Sequence, residues 1–374
     1  MKLQMVDLHG QYLKIKKEID EGIQQVIENA SFINGPQVKE FASSLAEWAG
    51  SKYVITCGNG TDALQIALMA LGLKPGDEVI VPAFTYVASA EVIGLLGLTP
   101  VMVDVDYATF NVTVSNLEKA LSPKTKAIIP VHLFGQSCSM ELIMQFAEKH
   151  QLYVIEDNAQ ALGAVYSFSN GIRKRTGTIG HIGCTSFFPS KNLGCYGDGG
   201  AIFTNDDTLA EQLYMIANHG QQIKYHHKVI GCNSRLDTIQ AAVLNVKLKH
   251  LDEYCHTRYK AAQYYNLQLR NVQGIIIPEE LPQSTHVYHQ YTLKVLNGKR
   301  DSLKSYLDEY GIPSMIYYPL PLQQQLAFQN ITRKAESLNN AERLACSVLS
   351  LPIHTELTTN QQDWVINRIK EFFK

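Results

Sequence analysis

Residues 184–203 read Cys-Thr-Ser-Phe-Phe-Pro-Ser-Lys-Asn-Leu-Gly-Cys-Tyr-Gly-Asp-Gly-Gly-Ala-Ile-Phe, and the rest of the chain is read outward from them. One cation, Lys191, stands between an apolar segment, Thr185 to Pro189, and a turn carrying Gly194, Gly197, Gly199 and Gly200. The apolar segment is expected to be a strand that Pro189 ends, because proline lacks the N–H a ladder needs. Ala201 to Thr204 is expected to be the next strand. The glycines between them let the backbone approach a bound group or take positive φ. A lysine presented from such a loop and partly desolvated has a lowered pKa. Its neutral amine can attack a carbonyl, so Lys191 is a candidate Schiff-base lysine. An exposed loop lysine is the commoner situation, so the weight falls on what surrounds it.

The chain of 374 residues is long enough for two domains. It is 45% hydrophobic and 18% charged, which excludes a disordered chain. A net charge of −2 gives no electrostatic case for nucleic acid or a membrane surface. Seven cysteines show no metal-type spacing, so no metal site is expected and free thiols in a reducing cytoplasm are the simplest account. No run is long and apolar enough to be a signal peptide or a membrane span.

Residues 11–30 and Gln37 to Gly50 carry helical patterns, separated by Ser31-Phe-Ile-Asn-Gly-Pro36. This segment reads equally as a packing arm or as a loop, Phe32 to Pro36, that walls a pocket. Strand and helix then alternate. Strands are expected at Tyr53–Cys57, Glu78–Pro82, Pro100–Asp104, Ala127–His132 and Leu152–Glu156. Helices are expected at Ala63–Leu73, Ala88–Leu96, Val114–Leu121 and Met140–His150. Apolar strands in repeated β–α units imply an α/β fold with a mostly parallel sheet covered by helices. Residues 206–217 and 235–271 again read as helices, the second long enough to bridge two domains. Beyond them, strand-like 286–295 and 314–318 and helices 300–310, 336–348 and 360–372 suggest a smaller α+β domain. The expected division is a large domain over 1–250, including the N-terminal arm, and a small domain over 251–374.

Ligands of open parallel sheets bind beyond the carboxyl ends of the strands. Three features fall there. Gly58-Asn-Gly-Thr-Asp62 opens a helix straight after a strand, where free N–H groups favour a phosphate; the same residues also serve as an ordinary N-cap. Val154-Ile-Glu-Asp-Asn-Ala-Gln160 ends an apolar strand in two acids that alternate across the sheet. Asp157 is taken to face the pocket, where a carboxylate holds a protonated ring nitrogen, with Gln160 beside the ring oxygen and Glu156 structural. Pro82-Ala-Phe-Thr-Tyr-Val87 offers Tyr86 to stack on a flat ring, while Phe84 fits core packing better. A lysine, an aspartate, a phosphate-type turn and an aromatic together describe a pyridoxal phosphate site.

At these residues the chain resembles the DegT/StrS family of sugar aminotransferases. The similarity is carried by Gly58-Asn-Gly-Thr-Asp-Ala63, Glu156-Asp157 with Gln160, Ser186-Phe-Phe-Pro-Ser-Lys-Asn-Leu193, Gly197-Asp-Gly-Gly200 and Asn233-Ser-Arg-Leu-Asp-Thr-Ile-Gln-Ala-Ala242. It implies the aspartate-aminotransferase fold (fold type I) and pyridoxal phosphate as cofactor. It implies Lys191 as the catalytic lysine and proton shuttle, and Gly60, Thr61 and Ser186 as phosphate ligands. It also implies that Asn233 reaches the cofactor of a neighbouring subunit, hence a homodimer with shared sites. Within the family the chain is most similar to enzymes that aminate C3 of a UDP-linked 3-keto-N-acetylglucosaminuronate, through Phe187 to Asp206, His219-Gly-Gln and Tyr225-His-His227. Arg235, His226, Tyr317 and Tyr318 are then substrate contacts, and L-glutamate is the implied amino donor, for surface polysaccharide synthesis. Tyr317-Tyr318-Pro319 departs from the family's usual His-Tyr-Pro run and leaves the sugar open. The alternatives are an aminotransferase for a dTDP-3-keto-6-deoxyhexose or another keto sugar, a sugar dehydratase, in which histidine replaces the lysine, and a non-catalytic regulator of the same fold.

Overall fold

A computed structural model describes residues 3–335 and 337–374. Its main element is an eight-stranded sheet in the order Tyr53–Cys57, Gly200–Thr204, Ile182–Ser186, Tyr153–Asp157, Thr125–Ile128, Glu78–Pro82, Thr99–Val103 and Arg333–Lys334. Gly200–Thr204 runs antiparallel to both neighbours; the other pairs are parallel. All five residues of Glu78–Pro82 and of Gly200–Thr204 are buried. A strand buried on both faces needs helices on both sides, and its sequence is then a continuous apolar run rather than an alternation.

The helices follow local signals. Helix Pro36–Ala49 has proline in its first turn and ends at Gly50 in the left-handed region, the asymmetry that helix termini favour. Helix Gly60–Ala70 is capped by the Asn59 side chain, which accepts from the Asp62 N–H at 2.8 Å. It starts three residues before the expected Ala63, so Gly60 and Thr61 belong to its first turn. The N-terminal helix Leu8–Glu28 packs Ile15 and Ile19 on Val243 and Val246.

Four expectations need correction. The first apolar segment pairs as Ile182–Ser186 and ends before Phe187, not at Pro189. The Phe187 and Phe188 carbonyls instead accept from the Cys195 and Lys191 N–H groups, so the backbone closes a turn. The helix expected over 235–271 is two, Thr238–Leu248 and Leu251–Leu269; an N–H bond from His250 to the Lys247 carbonyl interrupts the helical ladder. The strand expected over 286–295 is confined to Tyr291–Val295, because Tyr288 takes φ 46° and breaks the alternation. Residues 314–318 hold only an isolated bridge, Met315 to Ser350. Position 336, where one helix was expected to begin, lies outside the described residues; that helix spans Asn339–Ser347.

A three-stranded antiparallel sheet, Ile275–Ile276, Tyr291–Val295 and Val348–Leu351, carries a second apolar cluster with Tyr265, Leu303 and Ile366. Leu3 joins that cluster from the N-terminus. In the other direction, Leu322, Phe328 and Leu344 pack into the core of the large sheet. Arg333–Lys334 extends that sheet at its edge, with the Arg333 guanidinium bidentate on Glu78 at 3.0 and 2.8 Å.

Candidate active site

The carboxyl ends of Tyr53–Cys57, Glu78–Pro82, Tyr153–Asp157 and Ile182–Ser186 open on a cavity of about 670 Å³, within the range of small-molecule sites. Nine of the residues expected at the site line it: Gly60, Thr61, Tyr86, Asp157, Gln160, Ser186, Lys191, Tyr317 and Tyr318. Phe84 is buried as a core residue, edge-on to Tyr318.

Strand alternation separates the two acids as expected. Glu156 points away from the cavity and is fully buried. It accepts from the N–H groups of Gly177, Ile179 and Gly180 at 2.8, 2.7 and 2.6 Å and pairs with His132 Nε2 at 2.8 Å. Burial pushes its carboxyl up, but His132 and these N–H donors outweigh burial and hold it below the usual range. Asp157 faces the cavity. Its Oδ2 accepts from Ser89 Oγ at 2.6 Å and its Oδ1 from the Ala159 N–H at 3.2 Å. No cationic side chain among the described residues lies within ion-pair distance of it. A buried carboxylate so placed has room for one charge-assisted donor.

Lys191 lines the same cavity. Burial lowers its amine to about 8, against the opposing pull of Asp157. Such an amine is half neutral near pH 8 and supplies the nucleophilic form at far lower pH than an ordinary lysine. Gln160 is clamped: its Oε1 accepts from the Phe134 N–H at 2.7 Å and its Nε2 donates to the Tyr318 hydroxyl at 3.1 Å. Tyr86 is 56% exposed at the rim, with its ring 6.2 Å from that of Tyr318.

The fit to pyridoxal phosphate rests on the floor of the cavity. The N–H groups of Gly60 and Thr61 have no acceptor among the described residues. Ser186 Oγ accepts from the Phe188 N–H at 3.2 Å, which leaves its proton to donate. A Cβ on Gly60 would stand 2.7 Å from Ser186 Cβ, so glycine is required for these donors to converge. Two amides at a helix start and two hydroxyls form a phosphate-type donor set.

Three expected residues are not brought to this cavity within one chain. Asn233 is exposed. Its neighbour Ser234 turns inward, accepting from the Gly58 N–H at 2.8 Å and donating to Asp62 at 2.5 Å. Arg235 lines a second cavity, of about 570 Å³, with Asn34 and Gly35; both pocket-wall and packing roles of the N-terminal segment are therefore realised. His226 sits exposed on a hairpin of Gln221–Ile223 and His226–His227.

Ser89, His289 and Gln290 were missed. Ser89 sits in the first turn of helix Ala88–Leu95, where serine is ordinary. His289 and Gln290 line the cavity from a stretch that reads as strand; the two histidines of His286-Val-Tyr-His289 were the available signal.

The model of the DegT/DnrJ/EryC1/StrS aminotransferase family matches residues 13–370. The chain belongs to that family. Among its members, the chain is 48% identical to UDP-2-acetamido-2-deoxy-3-oxo-D-glucuronate aminotransferase of Pseudomonas aeruginosa, over 96% of each chain. It is 47% identical to a protein named pleiotropic regulatory protein of Geobacillus stearothermophilus, over 100% of this chain and 99% of that one. Its fold matches the crystal structure of S. venezuelae DesV in complex with a ketimine intermediate with a TM-score of 0.95 and 38% identity, covering 100% of this chain and 99% of the other. This aminotransferase thus has the type I fold and uses pyridoxal phosphate. Among the described residues, no helix is long and apolar enough to cross a membrane and no cluster of metal-ligating side chains occurs.

Proposed function

We propose that the protein transfers an amino group from L-glutamate to C3 of UDP-2-acetamido-3-keto-glucuronate, in the cytoplasm, for a surface polysaccharide such as a lipopolysaccharide O-antigen. One observation carries the reading. Lys191, a carboxylate lacking a cationic partner (Asp157) and the open donors of Gly60 and Thr61 face one cavity. The substrate class is supported by the relative from Pseudomonas aeruginosa, and the compartment by seven unpaired cysteines.

When bound, pyridoxal phosphate supplies the electron sink that stabilises negative charge at the amino carbon. The Gly60 and Thr61 amides, with the hydroxyls of Thr61 and Ser186, bind the phosphate. Asp157, fixed by Ser89, holds a proton on the ring nitrogen. Gln160 donates its second amide proton to the ring oxygen, and Tyr86 covers the ring face. Lys191 would hold the cofactor through its Nζ, and that nitrogen, once free, would move the proton in each half-reaction. Glutamate leaves as 2-oxoglutarate, and the keto sugar receives the nitrogen.

In this reading Asn233, Arg235 and His226 act in the site of a second subunit. Their position outside the chain's own cavity, with Asn233 and His226 exposed and Arg235 half-buried, supports a homodimer with shared sites. Mixing Lys191→Ala and Asn233→Ala proteins tests it, because hybrid dimers regain one intact site.

The name of the relative from Geobacillus stearothermophilus favours a second reading, a regulator. The complete set of Lys191, Asp157 and Gln160 argues for catalysis. The reverse half-reaction decides. A UDP-linked 3-amino-N-acetylglucosaminuronate should bleach the visible band of the lysine-linked cofactor. Bleaching by a dTDP-linked 3-amino-6-deoxyhexose alone would keep the aminotransferase and overturn the sugar. A protein that neither amino sugar nor glutamate bleaches would be the regulator.

A further inference from the structure

His289 is 5% exposed, lines the Lys191 cavity, and has a ring nitrogen, Nδ1, that is buried without a hydrogen-bond partner among the described residues. The other nitrogen, Nε2, lies 3.4 Å from the side-chain amide of Gln290. Such an orphan is uncommon and calls for a partner. The main chain that carries the ring is fixed from behind. Arg258, itself buried, donates to the carbonyls of Tyr288, His289 and Ile353 at 3.3, 3.4 and 3.0 Å. Burial, with the positive charges of Lys191 and Arg258, holds the imidazole neutral. Lys191 is the polar group of this cavity whose reaction detaches and reattaches it, and no hydrogen bond to its amine is made among the described residues.

We infer that His289 is a positioning residue for Lys191: its Nδ1 hydrogen-bonds the Lys191 amine once that amine is released from the cofactor, and aims it at the carbon whose proton it moves. This rests on the aminotransferase reading. The ring needs no proton of its own and serves only while Lys191 is free. The other titratable groups lining the cavity are Asp62, Tyr86, Asp157, Asp198, Tyr317 and Tyr318.

The test uses glutamate-treated holoenzyme, in which the cofactor carries the amino group and Lys191 is free. Cyanate labelling of the Lys191 peptide is followed by mass spectrometry as a function of pH. His289→Asn, whose amide reaches the place of Nδ1, should keep the Lys191 titration and hold turnover within about fivefold. His289→Gln, whose amide reaches the place of Nε2, should shift that titration by about half a pH unit or more. It should also lower kcat by about 10- to 100-fold with KM for glutamate changed less than threefold. An upward shift would make Nδ1 a donor to the amine and a downward shift an acceptor; both support the bond. Equal behaviour of the two variants, or an unmoved titration in His289→Gln, overturns the inference alone. If neither glutamate nor a nucleotide-linked 3-amino sugar exposes Lys191 in the native protein, the aminotransferase reading falls, and this one with it.

Discussion

Ser89 Oγ donates to Asp157 Oδ2 at 2.6 Å from the first turn of the helix that follows Glu78–Pro82. The bond fixes which carboxylate oxygen remains for a ring nitrogen. Ser89→Ala removes a charge-assisted bond worth about 1.5–3 kcal/mol. The expected result is a loss of roughly 10- to 100-fold in kcat with the cofactor still bound, checked by half-reaction kinetics on fully loaded protein.

Lys191→Ala should abolish the visible band of the lysine-linked cofactor and all turnover. In the native protein the pH dependence has a definite sign. The amine, lowered to about 8 by burial, is protonated and inert below that value and nucleophilic above it. Attachment of added cofactor to cofactor-free protein should therefore accelerate as pH rises through about 8 and then level off. Stopped-flow absorbance reads it directly.

Glu156 serves stability rather than chemistry. Breaking a buried pair by deleting one partner costs about 3–5 kcal/mol, so Glu156→Ala should lower Tm or prevent folding. The milder Glu156→Gln gives the pH test. The carboxyl lies below its ordinary value of 4.5 in the folded protein. Its contribution is therefore complete above about that pH and is lost as pH falls through the lower folded-state value. Acid unfolding curves should differ most between native protein and Glu156→Gln above pH 5 and converge below it.

Gly60→Ala would place a Cβ 2.7 Å from Ser186 Cβ. Relief needs the helix start or the serine to move, and either spoils the donor set. Cofactor affinity should fall by about tenfold or more, with a stability loss of about 1–3 kcal/mol. Equilibrium binding of pyridoxal phosphate and thermal melts separate the two effects.

Much of this site was legible because it lies where strands end. Periodicity located Tyr53–Cys57, Glu78–Pro82 and Met140–His150 with their observed bounds. Alternation along one strand sufficed to send Asp157 to the cavity and Glu156 away from it. What stayed hidden depends on contacts distant in sequence. Ser89 matters through an acid 68 positions away, and the bond by which Tyr318, an expected site residue, clamps Gln160 spans 158 positions. His289 was hidden because one left-handed residue, Tyr288, reverses the alternation by which its face would be read. The break between Leu248 and Leu251 carries neither glycine nor proline, so nothing local announced it.

The two-residue strand Arg333–Lys334 lies beside Thr99–Val103 from far along the chain; its Arg333–Glu78 bond spans 255 positions. It works as a seal on the sheet. A fragment ending near residue 250 would keep every other strand of the sheet yet leave Thr99–Val103 as a bare, apolar edge, the surface through which sheets add strands from other molecules. The same chain return delivers Tyr317 and Tyr318 to the cavity. Solubility of the large sheet and completion of the cavity wall thus depend on one late segment, and a truncation that removes it forfeits both.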